Sequence, residues 1–317
     1  MSAGMERVTK MAEQSLNEEA VSHARLAARA AELSWIHIWA ELTQDPEKIA
    51  ATLATDAPIA WALAVPSAAA GGAYRFLEGT SIEGVRDQYE GLRSQLEIHG
   101  WEPLIEVRGS WYTMWSGVSN IKTLSTGVVQ KGQTAVLFPV GGNGILGELQ
   151  IGTVGRYPDG TAPLDDARVP VRRLGALHEH EDYLENLRKG DVDAIMVAWR
   201  DDAAIAIRNY LCDESQLLNV GGCVQIRDYF TSLFERYKVI DIQIVNRVID
   251  TWFLFAELYW IVEDRKTGLK SDFCTADLTS IDEDRKYWVC TGAGTDPIES
   301  SGTPAVAPSR GKKAFAA

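Results

Sequence analysis

The chain has 317 residues, 46% of them apolar and 24% charged, an ordinary globular composition with material for one large domain or two of about 130 to 150 residues. Its formal charge of −13 repels phosphate backbones, and no Lys/Arg stripe interleaved with aromatics offsets it, so nucleic acid is not an expected partner. No run approaches the roughly 18 apolar residues of a membrane span, and "MSAGMERVTKMAEQSLNEEA" lacks the apolar centre of a secretory signal, so the expectation is no membrane and a cytoplasmic location.

In chain order, "ELSWIHIWAELTQ" is the first strong helical pattern, with Ala31, Trp35, Ile38 and Leu42 on one face and His37 at its edge. "DPEKIAATLATDAPIA" follows as a short capped helix, with Asp45 as its cap, and then a strand. Ile82, Val85, Tyr89, Leu92 and Leu96 predict another helix. Four strands come next, in "WEPLIEVRG", "SWYTMWSGVSNIKTL", "TAVLFPV" and "GILGELQIG". The stretch 153–176, rich in Pro, Gly, Asp and Arg, predicts a linker.

The order then recurs. "DVDAIMVAWRDDAAIA" repeats six of the sixteen positions of "DPEKIAATLATDAPIA" at an offset of 146, pairing Asp45 with Asp191 and Ile49 with Ile195. At an offset of 141 the helix "CVQIRDYFTSLFERY" repeats "IEGVRDQYEGLRSQL", and Trp111 falls on Trp252. A longer loop in the first copy, "PSAAAGGAYRFLEG", accounts for the change of offset. Strands in "KVIDIQIVNRVID", "TWFLFAELYWIVED", "LKSDFCTADLTSI" and "RKYWVCTG" complete the second copy.

Helices segregated from a long antiparallel strand run predict α+β architecture used twice, each copy a strongly curved antiparallel sheet packed on helices. The expected division is 17–152 for the first copy, 153–176 for the linker, 177–292 for the second copy and 293–317 for a disordered tail. The four cysteines, Cys212, Cys223, Cys274 and Cys290, show no CxxC spacing and are expected as reduced, buried thiols.

"GDVDAIMVAWRDDAAIAI", "VQIRDYFTSLF" and "LFPVGGNGILGELQIG" resemble the nuclear-transport-factor-2-like superfamily, within it the SnoaL-like branch of cystatin-like α+β cones. The resemblance implies cone-shaped domains with an apolar mouth and packing of the two copies through their sheets, as an internal pseudo-dimer; a further homo-oligomer stays open. It covers isomerases, dehydratases, epoxide hydrolases, cyclases and members that only bind, so fold does not choose among them.

Among the residues that could carry chemistry, "GGNGILG" contains a formal GxGxxG, but the strand "ELQIG" follows it where a phosphate-binding helix would be needed. It therefore reads as a hairpin turn with glycine supplying positive φ. "HEHED", 178–182, places two imidazoles among carboxylates, yet an i, i+2 pair diverges on a helix, and a capped, solvated helix start is the better reading. His37 can act as acid or base, with Tyr183 its counterpart at offset 146.

The resembled enzymes draw polar groups from the first helix and a carboxylate base from a strand facing the apolar cavity. The candidates for that base are Glu148, Asp250, Glu257 and Asp277, the last interrupting an apolar alternation. Trp61, Trp111, Trp115, Trp199 and Trp252 are expected to shape a site for a flat hydrophobic molecule.

The expectation is a cofactor-independent, metal-free lyase, isomerase or dehydratase acting by proton transfer on a hydrophobic, aromatic or polycyclic small molecule. His37 and Glu148 would work in the first copy, the one expected to hold the working pocket, with Tyr183 and Asp277 as counterparts in the second. The alternative is a non-catalytic binding or scaffold protein of the same fold.

Overall fold

The computed structural model describes residues 3–66, 74–141, 143–153, 169–208 and 217–300. The first copy begins with the long helix α1 (Ala3–Leu42) and the one-turn helix α2 (Pro46–Ala50). Strands β1 (Trp61–Pro66) and β2 (Tyr74–Gly79), helix α3 (Ile82–Arg93), and strands β3 (Leu96–Arg108), β4 (Tyr112–Thr123), β5 (Val129–Pro139) and β6 (Leu149–Gly152) follow. The second copy repeats this order: α4 (Val169–Lys189), α5 (Val192–Val197), β7 (Trp199–Arg208), β8 (Leu217–Gly221), α6 (Gly222–Arg236), β9 (Tyr237–Ile249), β10 (Phe253–Asp264), β11 (Lys270–Ile281) and β12 (Tyr287–Gly294). A two-residue strand, β13 (Ile298–Glu299), pairs with β11.

The strands form two sheets, in the orders β2-β1-β6-β5-β4-β3 and β8-β7-β12-β11-β10-β9. Each sheet is mixed rather than antiparallel throughout, because the last long strand of each copy returns beside the first: β6 runs parallel to β1 and β12 parallel to β7. The expected caps form, with the Asp45 carboxylate accepting from the Glu47 amide and Asp191 from the Ala194 amide.

The repeat extends to irregularities. In the β3–β4 pairing His99 and Leu104 are skipped, and in the β9–β10 pairing Ile240 and Val245 are skipped, two pairs 141 residues apart. Bulges bend and twist a sheet. These four bend both sheets at matching places and so form the concave faces that hold the helices.

Strand alternation divides each sheet into two faces. One face covers its own helices, in clusters around Ile49, Trp61, Val85 and Phe138 in the first copy and around Leu184, Ile195, Ile226 and Phe230 in the second. The other faces meet in a third cluster to which both sheets contribute, including Ala62, Met114, Leu137 and Leu149 from the first and Ala206, Phe253, Phe255 and Leu278 from the second. At that seam Glu257 accepts hydrogen bonds from Trp111 Nε1 at 3.1 Å, Tyr112 OH at 2.8 Å and Asn246 Nδ2 at 2.7 Å. Burial is the largest influence on this carboxyl and raises its pKa, with the three donors opposing the shift.

Several expectations change on the structure. Residues 169–176, assigned to the linker, are the first two turns of α4, and Ala293, Gly294 and β13 extend strand structure into the expected tail. The segments 154–168, 67–73 and 301–317, with Cys212, lie outside the described residues; Cys223, Cys274 and Cys290 are free thiols, the last two buried. "HEHED" lies in the middle of α4, not at its start, and two of its three acids make ion pairs, Glu179 with Arg285 at 2.7 Å and Glu181 with Arg247 at 2.5 Å. His180 is buried, and burial together with Arg247 pulls its imidazole down to about 4.

The turn reading of "GGNGILG" holds, with Val140 bridging Ile145, but Gly144 does not take a positive φ. Close approach of backbone is what requires glycine there. A Cβ on Gly144 would lie 2.7 Å from Thr52 O, and one on Gly147 would lie 1.8 Å from Ala60 O. Backbone cannot rotate away as a side chain can. Gly147→Ala is therefore expected to exceed the roughly 1–3 kcal/mol of ordinary overpacking, seen as loss of the cooperative unfolding transition in a denaturant titration.

Candidate functional site

Each copy holds a cavity between its helices and the concave face of its sheet. In the first copy, α1 buries a stripe of Ala30, Ser34, His37 and Ile38 at helical spacing, continued by the half-buried Glu41. His37 sits in the middle of that stripe with no exposed surface, and not at its edge as the sequence implied. Its Nδ1 contacts Thr52 Oγ1 in the turn that follows α2. Because that hydroxyl donates to Ile49 O at 2.7 Å, it accepts from the imidazole, so Nδ1 carries a hydrogen and Nε2 faces inward.

There Nε2 lies 3.8 Å from Glu148 Oε2 on the segment leading into β6. Glu148 also accepts from Trp61 Nε1 at 2.7 Å and from the Tyr89 hydroxyl of α3. The same hydroxyl lies 2.5 Å from Glu41 Oε1. One phenolic hydrogen cannot serve two carboxylates, so a carboxyl proton must complete the group.

That proton belongs to Glu41. Burial and the nearby Glu148 charge push its pKa up to about 7. Burial also acts on Glu148 in the upward direction, but His37, Tyr89 and Trp61 outweigh it and hold it below the usual range. For His37 burial pulls the pKa down, while Glu148 and Glu41 more than compensate and leave it raised. The adjoining cavity is about 60 Å³ and is lined partly by Glu41, Ser119, Thr134, Glu148 and Gln150.

The second copy presents the reverse chemistry. His37, Glu41, Thr52 and Tyr89 correspond to Tyr183, Leu187, Ala198 and Phe230, at the offsets of 146 and 141. Its cavity is about 110 Å³, walled by Leu187, Trp199, Phe230, Leu233, Trp260 and Phe273 among others. Asp277 and Tyr183 both line it. Burial pushes the Asp277 carboxyl up to about 7, opposed only by a hydrogen bond from Thr275 Oγ1 at 3.2 Å. Thr275 in turn accepts from Trp260 Nε1 at 3.1 Å.

Strand β12 makes room for that carboxyl at Gly292, which pairs with Asp277; a Cβ there would lie 2.0 Å from Asp277 Oδ1. Gly292→Ala is expected to displace the Asp277 side chain, lowering any Asp277-dependent rate far more than ligand affinity, which kinetics on the variant would resolve into kcat and KM.

The structure thus brings His37 and Glu148 together, and puts Tyr183 and Asp277 in one cavity. Glu148 and Asp277 are nevertheless not counterparts. At offset 141 Asp277 corresponds to Val136 on β5, whereas Glu148 precedes β6. Glu41, Thr52 and Tyr89 were not found among the candidates. Glu41 had a signal, its i, i+4 spacing from His37, whereas Tyr89 fits the apolar stripe of its helix and Thr52 fits a turn.

Of the tryptophans, Trp199 lines the second cavity. Trp61 and Trp115 lie behind the first cavity and do not line it: Trp61 holds Glu148, and Trp115 packs edge-on against Trp35 and donates to Ser34 Oγ at 3.1 Å. Trp111 and Trp252 are corrected outright: both lie in the seam between the sheets and line neither cavity. Each immediately precedes a strand, where the bend removes it from the alternation that Thr113 and Trp115, or Leu254 and Trp260, obey. Glu257 faces the seam for the opposite reason, by obeying the alternation of Phe253 and Phe255. Asp250 pairs with Arg173 of α4 at 2.7 Å.

No family model matches the chain, and no curated protein matches it significantly. Solved structures similar to it include an LEH-like epoxide hydrolase of Mycobacterium tuberculosis, 14% identical, covering 38% of this chain and 81% of that one with a TM-score of 0.31. They also include SalBIII, an epoxide hydrolase/cyclase-like enzyme of pyran ring formation in the polyether salinomycin, 16% identical over 41% of this chain and 98% of that one, TM-score 0.34. A third is a protein with a ketosteroid isomerase-like fold from Catenulispora acidiphila, 9% identical over 36% of this chain and 82% of that one, TM-score 0.31. The likeness is one of fold. What either cavity does follows from its own residues.

Proposed function

We propose that the second copy binds a hydrophobic carbonyl compound built on a single aromatic or alicyclic ring and transfers a proton on it without a cofactor. The observation that carries this reading is Asp277, a carboxyl raised to about 7 by burial in an aromatic cavity. A base with a pKa near working pH is both deprotonated often enough and strong enough to remove a weakly acidic proton. The volume sets one ring as the ceiling: about 110 Å³ is less than the roughly 150 Å³ that accommodates benzene, so even a single ring enters only as the aromatic walls give way and nothing polycyclic fits.

In the reaction, on a β,γ-unsaturated ketone, Asp277 removes a hydrogen from the α-carbon, the C–H electron pair forms a C=C bond to the carbonyl carbon while the carbonyl π pair moves onto oxygen, and the carboxylic acid returns the proton to the γ-carbon as the C=O re-forms. Isomerisation is the net result. The developing oxyanion needs a donor. Trp199, on the cavity wall, has an indole N–H with no hydrogen-bond partner among the described residues, and burial holds the Tyr183 phenol protonated. A buried donor left unpaired costs about 1–3 kcal/mol, which a bound carbonyl would offset.

The direct test is deuterium exchange, followed by NMR, at the α-carbon of cyclic and aryl ketones bound by the protein in D2O. Exchange catalysed by the wild type and lost in Asp277→Asn supports the reading. Binding with no exchange above background would leave the alternative, a carrier of the same ligand class.

A further inference from the structure

We propose that the first copy binds a divalent first-row transition-metal ion through His37, Glu41 and Glu148. One imidazole nitrogen and one carboxylate oxygen from each glutamate lie within 4.8 Å of one another, in a chain whose second copy has nothing similar at the corresponding positions. Donors on bonds of about 2.0–2.2 Å to a four-coordinate ion stand about 3.3–3.6 Å apart, so the 3.8 Å between His37 Nε2 and Glu148 Oε2 has only a few tenths of an ångström to close. Small movement of Glu41 closes the set.

The surroundings supply a second, independent argument. A metal-binding imidazole is normally held through its other nitrogen and a metal-binding carboxylate through a hydrogen-bond donor, which fixes both lone pairs on the ion. Thr52 holds His37 Nδ1 in that way, leaving Nε2 as the inward-facing atom, and Trp61 Nε1 holds Glu148. Neither Thr52 nor Trp61 is itself a ligand.

The phenol of Tyr89 lies against both carboxylates and 3.5 Å from His37 Nε2, where it completes the set or moves aside. Two carboxylates in a buried site need a proton or a cation between them, and the ion satisfies both at once. Mixed nitrogen and oxygen donors select Zn²⁺, Fe²⁺ or Mn²⁺ over the oxygen-only preference of Ca²⁺. The adjoining cavity of about 60 Å³, lined also by Ser119, Thr134 and Gln150, leaves space for the water that three protein ligands leave uncoordinated.

The test uses full-length protein stripped with chelator and titrated calorimetrically with ZnCl₂ at pH 7.5, then with CoCl₂ under visible absorption. The expected result is one tight site per chain, with ligand-field bands for Co²⁺. Glu41→Gln and Glu148→Gln should each weaken Zn²⁺ at least 10-fold and change or abolish those bands. Glu41 lies on the half-buried side of the cluster, so its variant serves if Glu148→Gln does not fold, as judged by far-UV circular dichroism. Stripped wild type that binds no Zn²⁺, or binds it with the affinity and stoichiometry of Glu41→Gln, overturns the proposal. The exposed imidazole of His178 would produce that second outcome. Neither result depends on Asp277 chemistry.

Discussion

Asp277→Asn is expected to lower the rate of proton transfer by about 10²–10⁴-fold, the usual worth of a positioned base, while the ligand still binds. The same substitution should change stability in a pH-dependent way. The carboxyl titrates near 3.8 when unperturbed and at about 7 in the folded protein. A raised carboxyl means that the folded state binds the proton more tightly. The neutral form is fully accommodated below pH 4, and stability is lost as pH rises from there through 7.

At about 1.4 kcal/mol per pH unit the full loss approaches about 4 kcal/mol. Asparagine carries no such penalty. Urea unfolding at pH 5 and pH 8 should show the wild type losing stability between them and Asp277→Asn losing less, so that the inactive variant is the more stable protein at pH 8. Parallel behaviour at both pH values would mean that the carboxyl is hydrated and unsuited to the role assigned to it. A destabilising group kept at a cavity wall is the familiar exchange of stability for activity.

Trp252→Ala is expected to cost about 3–5 kcal/mol of stability, the range for removing a fully buried large aromatic. Its indole has no exposed surface and lies in the cluster joining the two sheets. The loss should appear as a lower urea midpoint with unchanged ligand affinity. Trp199→Ala, on the cavity wall, should lower ligand affinity in a fluorescence titration. If Trp252→Ala weakened ligand binding at unchanged stability, the assignment of Trp111 and Trp252 to the seam would fail.

Much of the architecture is legible in one dimension because both of its periods are local. Helical spacing marks α3 and α6, alternation marks the long strands, and the 141-residue offset places Trp111 on Trp252 and His99 on Ile240. The short strands β2 and β8 escape that reading, since six and five residues beside a loop carry too little pattern. α4 begins earlier than expected because Arg172 and Arg173 are held by Asp282 and Asp250, contacts more than seventy residues away.

The site divides along the same line. His37, Glu148, Tyr183 and Asp277 stand out in the sequence as polar residues in apolar patterns, and all four line or adjoin a cavity. Their partners do not stand out. Tyr89 occupies an ordinary core position of its helix, and Gly292 is one glycine among 27, with meaning only because β12 lies beside Asp277.

The sequence by itself determined the α+β elements, their duplication and the identity of the polar residues set against apolar ones, because these depend on side-chain type and on spacing along one chain. Only the tertiary structure decided which of those residues meet. A bend before β4 and β10 sends two tryptophans into the seam. A one-strand difference puts the first copy's acid on the segment leading into β6 and the second copy's on β11. Burial then makes one cavity a dense polar cluster and the other an apolar chamber with a single carboxyl. Proximity and dielectric are set by residues distant in sequence, and those two quantities fix the chemistry.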